Sequence, residues 1–247
     1  MTLAAFFAAH PKAALAFSGG ADSAYLLYEA RHLGCDVRPY YVKTAFQPAF
    51  ELRDAERVCR ELGVELTVLE LDILAQESVR QNPRDRCAHC KRAIFSAILE
   101  AARRDGYAPL LDGNNADDDP ADRPGMAAAE KLGVLSPLRL CGISKAELRQ
   151  KSREAGLFTW DKPAYACLAT RIPTETPIDA ETLRAVEASE DALRAMGFRD
   201  LRVRVREGYA LLQFSAAELE QARARRAEIQ KLLSPWFPVL KLDPEGR

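Results

Sequence analysis

The segment Ala13–Ser23 reads AALAFSGGADS, a short apolar run followed by a glycine-rich loop, and it decides the fold class. The apolar run predicts a strand, and Ala24–Leu33 beyond the loop predicts a helix. The loop therefore joins a strand to a helix N-terminus, whose positive dipole end favours anions. The hydroxyls of Ser18 and Ser23 add donors, so the segment predicts a phosphate-binding loop.

The two glycines and the aspartate of this loop limit the kinds of ligand that it could bind. Gly19 and Gly20 permit backbone angles closed to other residues and let N–H groups approach a ligand closely. Asp22 would repel a bare phosphate, so we expect it to hold Mg²⁺ against pyrophosphate. The Walker A and dinucleotide spacings are both absent. The alternative, a glycine-rich turn that only begins a helix, explains the order of strand, loop, acid and helix less well.

Outward from the loop, strand-like and helix-like stretches alternate, which predicts an α/β fold with a doubly wound parallel sheet. After a linker at Thr174–Pro177 the order of predicted helices and strands changes to that of a small α+β module. We therefore predict two domains, residues 1–172 and 173–247. The predicted helices are Ala24–Leu33, Phe50–Leu62, Lys91–Arg104, Asp179–Met196 and Ser215–Leu233, and the predicted strands are Ala13–Phe17, Asp36–Val42, Glu65–Leu71, Leu110–Leu111, Leu201–Arg206, Tyr209–Phe214 and Val239–Leu242.

Composition excludes several classes of protein. The 247 residues carry a net charge of −1, which provides no overall attraction to nucleic acid or anionic membranes. No run reaches the roughly 20 apolar residues of a membrane span. Six cysteines are too few for a disulfide scaffold. We expect a cytoplasmic protein without nucleic-acid or membrane partners, whose cysteines serve metals or catalysis.

A second polar cluster, Asp112–Asp118, follows a predicted strand, and Arg123 lies a few residues beyond it. Open α/β sheets bind ligands at this end of their strands. Gly113, Asp117 and Arg123 are therefore candidate ligand-binding residues, and the alternative is an ordinary polar surface loop. Lys91 opens a predicted helix and is a candidate for neutralising AMP or pyrophosphate, with a solvated lysine as the alternative.

A third cluster, Thr159–Pro173, reads TWDKPAYACLATRIP. Together with the first loop, the Asp-Gly-x-Asn-x-Asp cluster, Arg123-Pro124-Gly125 and Ser136-Pro137-Leu138, it makes the chain similar to the LarE family of ATP-dependent sulfur transferases. These belong to the PP-loop ATP-pyrophosphatases, which split ATP into AMP and pyrophosphate. The motifs occur in the same order over nearly the whole chain.

The resemblance implies a reaction and its partners. ATP, with Mg²⁺, adenylates a carboxylate of pyridinium-3,5-biscarboxylic acid mononucleotide, and sulfur then displaces AMP. The product serves the nickel-pincer nucleotide cofactor of lactate racemase. The resemblance also implies a homo-oligomer and transient contacts with other enzymes of cofactor biosynthesis.

Two schemes of sulfur supply are known in the family. In one, a cysteine gives up its own sulfur and becomes dehydroalanine. In the other, three cysteines hold a 4Fe-4S cluster that carries the transferred sulfide. Cys87 and Cys90 form a Cys-x-x-Cys pair, and with the catalytic candidate Cys167 they favour the cluster scheme. Structural zinc with His89 as a further ligand is the alternative.

Leu201–Arg206 alternates apolar residues with arginines, so the three arginines share one face of a strand. Forked guanidinium donors suit phosphate, although a solvated strand face is the default. The resemblance places the phosphate of the substrate nucleotide on Arg202 and Arg204, with Glu190 and Arg171 as further candidates.

Three other functions remain open. A tRNA-thiolating PP-loop enzyme shares the chemistry but usually needs an RNA-binding surface. An ammonia-using PP-loop synthetase shares the ATP chemistry. A non-catalytic nucleotide-binding protein would not need Asp22 or the cysteine loop.

Overall fold

The computed structural model describes residues 1–119 and 124–246. They form two compact units, Met1–Ile73 with Asp85–Ala164, and Leu74–Arg84 with Tyr165–Arg247. The first unit contains helices α1 to α3 and α5 to α8 and strands β1 to β4. Their bounds are α1 Leu3–Ala9, β1 Lys12–Ala16, α2 Ala21–His32, β2 Asp36–Lys43, α3 Ala49–Glu61, β3 Thr67–Glu70, α5 Arg86–Arg104, β4 Leu110–Leu111, α6 Pro124–Lys131, α7 Pro137–Leu140 and α8 Lys145–Glu154.

The sheet of the first unit is parallel throughout, with strand order β3-β2-β1-β4. Side chains alternate across it, so Ala13 and Leu15 pack with α1, α2, α3 and α8, whereas Ala14 packs with α5 and α6. Both faces of the sheet are thus covered by helices, which confirms the predicted doubly wound α/β class.

The second unit is a small α+β module, as predicted. Its sheet has the order β5-β6-β7, antiparallel between β5 and β6 and parallel between β6 and β7. Its elements are α4 Glu77–Arg80, a 3-10 helix at Leu168–Arg171, α9 Ala180–Ala195, β5 Leu201–Arg206, β6 Tyr209–Phe214, α10 Ala216–Ala224, α11 Arg226–Leu233 and β7 Leu240–Leu242.

The helix predicted from Ala24 begins at Ala21, and two other predicted helices differ more from the structure. The helix predicted from Lys91 begins at Arg86, so Cys87 and Cys90 lie within α5 rather than before it. The helix predicted as Ser215–Leu233 is interrupted at Arg225, which separates α10 from α11. The Arg225 guanidinium donates to Glu228 and to the carbonyl of Met196, contacts that a periodicity pattern does not contain.

The units divide the chain at Ala164/Tyr165, whereas the sequence places the boundary at 172/173. The second unit also includes Leu74–Arg84, which lies far from it in sequence. Asn82 explains this, because its side-chain amide donates to Pro173 O at 2.7 Å and its own carbonyl accepts from Glu175 N at 2.9 Å. No helix among the described residues is long and apolar enough to span a bilayer.

Candidate active site

The phosphate loop of the first unit lies between β1 and α2, as predicted. Gly19 has φ +68°, and Gly20 is the N-cap of α2. The Ser18 and Ser23 hydroxyls lie 3.1 Å apart, and Ser18 Oγ accepts from Gly20 N at 3.3 Å. The first N–H groups of a helix have no intrahelical acceptor. Serine hydroxyls and helix N–H donors are therefore gathered on one loop, which suits a phosphate group.

Two glycines allow backbones to approach this loop closely. A Cβ on Gly19 would lie 2.8 Å from Ala55 N, so α3 packs directly against the loop. A Cβ on Gly113 would lie 3.0 Å from Ser23 N, so the turn after β4 meets the first turn of α2. The predicted residues Gly113 and Ser23 are thus brought together. A side chain at either glycine would displace the backbone of the loop or of the first turn of α2.

Two lysines that the sequence argument did not select lie against the loop. Lys145 Nζ pairs with Asp22 Oδ1 at 2.5 Å, and Lys162 Nζ pairs with Asp54 at 2.6 Å and lies 3.3 Å from Gly19 O. A signal for Lys145 exists in the sequence. Ser144 is the N-cap of α8, so Lys145 occupies a first helical position, where the helix dipole disfavours a cation.

The polar residues after β4 mostly form hydrogen bonds with one another. Asp112 is buried and accepts from Asn114 N at 3.1 Å. Burial raises the pKa of Asp112, although hydrogen bonds and the charge of Lys91 oppose that rise. Asp117 Oδ2 accepts from Lys145 N at 2.7 Å, which anchors the start of α8. A direct ligand contact of Asp117 therefore stays a prediction.

The remaining two candidates of the first unit have separate outcomes. Lys91 is exposed on α5, its Nζ lies 5.2 Å from the ring centroid of Phe95, and its charge acts on Asp112. A cation is thus placed beside the polar cluster, and a contact of Lys91 with AMP or pyrophosphate stays a prediction. Arg123 lies outside the described residues.

In the second unit, Cys167 directly precedes the short 3-10 helix Leu168–Arg171. Arg171 is fully buried, and its Nη1 donates to Ala166 O at 2.8 Å and to Cys167 O at 3.3 Å. The hydroxyl of Thr170 also donates to Cys167 O at 2.9 Å. The backbone on both sides of the thiol is therefore held by side chains, while the Cys167 side chain is half-buried.

The Glu190 carboxylate is hydrogen-bonded to this loop and to β5. Its carboxylate accepts from Arg171 Nε at 2.7 Å, from the Tyr165 hydroxyl at 2.6 Å and from Val203 N at 3.1 Å, and it is fully buried. Burial opposes its ionisation, but the hydrogen bonds and charge of Arg171 outweigh burial and hold the pKa of Glu190 below its ordinary value. These contacts hold Glu190 within the protein, and its direct contact with substrate stays a prediction.

Arg202 and Arg204 lie on β5, the strand that the alternation predicts, beside this network. Arg202 is 5 % exposed, and its guanidinium lies 4.8 Å from the ring centroid of Tyr165. Arg204 Nη1 donates to Thr170 O at 2.9 Å. The guanidinium of Arg171 lies 4.6 Å from the same ring, so three arginines gather at the cysteine loop, where Glu190 pairs with Arg171 and Asp200 with Arg202. Such a region suits an anionic group of a substrate.

The cysteines do not form the predicted ligand group. Cys87 and Cys90 lie one turn apart on α5 in the first unit, and Cys167 belongs to the second. Throughout residues 1–119 and 124–246, no three Cys, His, Asp or Glu side chains are arranged to hold a metal ion. His89 pairs with Asp85 at 3.2 Å instead of completing a zinc site. The structure therefore does not support the 4Fe-4S cluster or structural zinc.

The other three cysteines, Cys35, Cys59 and Cys141, lie outside both cysteine motifs. Cys35 and Cys59 are buried, and burial raises their pKa values to about 11 and about 12, so both thiols stay protonated at neutral pH. Cys141 is only half-buried.

Comparisons with known proteins show which proteins this chain is similar to. No protein-family model matches the chain. It is 34 % identical over 222 residues to the uncharacterized protein slr1717 of Synechocystis sp. That alignment covers 87 % of this chain and 81 % of that protein. It is 30 % identical over 235 residues to the pyridinium-3,5-bisthiocarboxylic acid mononucleotide synthase of Lactiplantibacillus plantarum. That alignment covers 94 % of this chain and 85 % of the synthase. The tRNA-specific 2-thiouridylase MnmA of Thermotoga maritima is 25 % identical over 193 residues, 61 % of this chain and 54 % of that one.

Proposed function

The chain belongs to the LarE family of PP-loop enzymes, and from that premise we propose that it adenylates a carboxylate of pyridinium-3,5-biscarboxylic acid mononucleotide and replaces an oxygen with sulfur. The observation that carries the proposal is the likeness to the Lactiplantibacillus plantarum synthase, which extends over 94 % of the chain. It therefore includes both the phosphate loop and the cysteine loop. We further propose a cytoplasmic role in making the nickel-pincer nucleotide, as a homo-oligomer.

The first step is activation of the carboxylate. The carboxylate oxygen attacks the α-phosphorus of ATP, the bond to the β-phosphate breaks, and pyrophosphate leaves. The hydroxyls of Ser18 and Ser23 and the N–H groups at the start of α2 bind the departing phosphates. Asp22, on the first turn of α2, is the residue suited to hold Mg²⁺, whose charge offsets that of the phosphates.

The second step transfers sulfur. A thiolate attacks the acyl adenylate, the bond to AMP breaks, and AMP leaves as a good leaving group. Cys167 is the proposed catalytic cysteine because Arg171 and Thr170 fix the backbone on both sides of its thiol. Arg202 and Arg204 are the proposed ligands of the nucleotide phosphate, since both lie beside the same loop.

The chemical state of the protein after turnover reveals where the transferred sulfur comes from. If Cys167 donates its own sulfur, a base removes the Cα proton of the thioester, the bond from Cβ to sulfur breaks, the thiocarboxylate leaves with the sulfur, and dehydroalanine remains. The cluster scheme instead leaves Cys167 intact and requires iron, and we assign no step to it because the described residues form no three-ligand group. Iron content after anaerobic purification and the protein mass after turnover distinguish the two schemes.

tRNA thiolation is an alternative function, and its support is the similarity of this chain to a tRNA thiouridylase. The Thermotoga maritima thiouridylase, however, matches only 61 % of this chain, and the net charge of −1 provides no general attraction to RNA. AMP formation that requires tRNA or ammonia, instead of the pyridinium nucleotide, would refute the proposed substrate.

The two steps can be separated experimentally. We predict that Cys167→Ala retains exchange of labelled pyrophosphate into ATP when the pyridinium nucleotide is present, because adenylation does not use the thiol. The same variant makes no thioacid. Asp22→Asn loses both activities. Loss of exchange in a folded Cys167→Ala protein would contradict the assigned division of roles.

A further inference from the structure

Lys145 contacts two acidic residues at the phosphate loop. Its side-chain Nζ pairs with Asp22 Oδ1 at 2.5 Å, and its main-chain N–H donates to Asp117 Oδ2 at 2.7 Å. Asp117 therefore fixes the backbone at the start of α8, and Asp22 fixes the end of the side chain. The ammonium group is held against the first turn of α2, where the phosphates of a nucleotide are expected.

The position of Lys145 is not explained by helix stability. A cation in the first turn of a helix faces the positive dipole end, which disfavours it. Asp22 offsets this charge in the ligand-free protein, but Asp22 is also the residue suited to Mg²⁺. A dication at Asp22 would repel the ammonium group, and the phosphates would then offer it an anionic partner.

We propose that Lys145 is a pyrophosphate-binding residue that exchanges partners. It pairs with Asp22 in the ligand-free protein, and it pairs with a phosphate oxygen of ATP or pyrophosphate when ligand binds. The inference rests on the proposed ATP-dependent function and adds a residue to that site. In the free protein the same ion pair keeps the charges of Asp22 and Lys145 balanced.

Lys162 provides a comparison within the same site. Its ammonium group lies 3.3 Å from Gly19 O, but its carboxylate partner is Asp54 on α3, which is outside the loop. A metal at Asp22 does not take this partner away. Lys162 therefore keeps its ion pair, and partner exchange is specific to Lys145.

The test measures binding of inorganic pyrophosphate, without metal, by isothermal titration calorimetry. Lys145→Met should weaken binding by about tenfold or more, as expected for loss of a charge-assisted hydrogen bond. Lys145→Arg should retain most of the affinity. The matched control is Lys151→Met, since Lys151 lies on the same helix and pairs with Glu147 at 2.9 Å. It should leave the affinity unchanged.

A double-mutant cycle tests the exchange itself. Asp22→Asn should strengthen metal-free pyrophosphate binding, because it removes a negative charge and frees Lys145. The gain should be larger with Lys145 present than in the Lys145→Met background. Equal gains in both backgrounds, or unchanged affinity in Lys145→Met, would overturn the inference. Circular dichroism checks folding, and Lys145→Gln replaces the methionine variant if that variant is unfolded.

Failure of the inference is distinguishable from failure of the proposed function. If the wild-type protein binds neither pyrophosphate nor ATP with Mg²⁺, the ATP-dependent function is wrong. If it binds both, and Lys145→Met binds pyrophosphate equally well, only the role of Lys145 is wrong.

Discussion

The carboxylate of Glu190 connects three parts of the second unit. One oxygen accepts from Val203 N, between the two arginines of β5, and also from Arg171, which holds the carbonyls before and at Cys167. The strand that carries the proposed phosphate ligands is thereby joined to the loop that carries the thiol. A buried charge of this kind is costly unless it is fully paired, and here the pairing also orders the cysteine loop.

Loss of this charge should destabilise the second unit. We predict that Glu190→Gln costs about 3 kcal/mol, because it leaves the buried Arg171 without its counter-charge. Trp236 fluorescence during urea unfolding, in a Trp160→Phe background, reports the second unit alone. Asp191→Asn is the control, since Asp191 pairs with Arg194 at the surface and should contribute under about 1 kcal/mol. Equal effects of the two variants would contradict the role of Glu190.

The pH dependence of this contribution has a definite sign. The pKa of Glu190 is lower in the folded protein than in the unfolded chain, so its contribution is complete above the unfolded value of about 4.3. It is lost as pH falls through the lower folded pKa. The difference in unfolding free energy between wild type and Glu190→Gln should therefore be constant near neutral pH and shrink only in acid. If the difference already shrinks as the pH falls towards 6, roughly two units above the pKa of Glu190 in the unfolded chain, another group is responsible.

Individual residues differ in how far the sequence could predict them. Asp22 and the serines of the loop follow from local order along the chain. Glu190 was placed near the site by resemblance, but its role depends on Arg171 and Val203, which are distant in sequence. Lys145 was missed because its partner Asp22 lies 123 positions away.

At the scale of elements, the close packing of the phosphate loop against α3 is open to test. Gly19 and Gly34 flank α2 and both have positive φ, but only at Gly19 would a Cβ meet backbone, 2.8 Å from Ala55 N. We predict that Gly34→Ala costs about 1 kcal/mol of stability from backbone strain alone and leaves ATP binding intact. Gly19→Ala should additionally weaken ATP binding by about tenfold or more, measured by calorimetry. Similar ATP affinities in the two variants would contradict the assigned position of the ligand.

Most elements could be predicted because their periodicity is local. The parallel strands and the helices that cover them alternate apolar residues in the expected rhythm. The start of α5 at Arg86 and the break at Arg225 could not be predicted in this way. Both depend on side-chain contacts, such as that of Arg225 with Met196 O, rather than on hydrophobic period.

At the scale of the whole molecule, the two units carry different parts of the proposed reaction. The first holds the phosphate loop and its lysines, and the second holds Cys167 and the arginines of β5. The non-contiguous segment Leu74–Arg84 of the second unit was not predictable, since its placement depends on hydrogen bonds of Asn82 to residues beyond Cys167. The likeness to the pyridinium nucleotide synthase covers nearly all of both units.

The most direct test of the proposed function is the mass spectrum of the pyridinium-3,5-biscarboxylic acid mononucleotide after incubation with the protein, ATP and Mg²⁺. We predict a product in which sulfur has replaced one oxygen, formed together with AMP and pyrophosphate, and absent with Cys167→Ala. An unchanged nucleotide, with AMP formed only when tRNA or ammonia is supplied, would contradict the proposal.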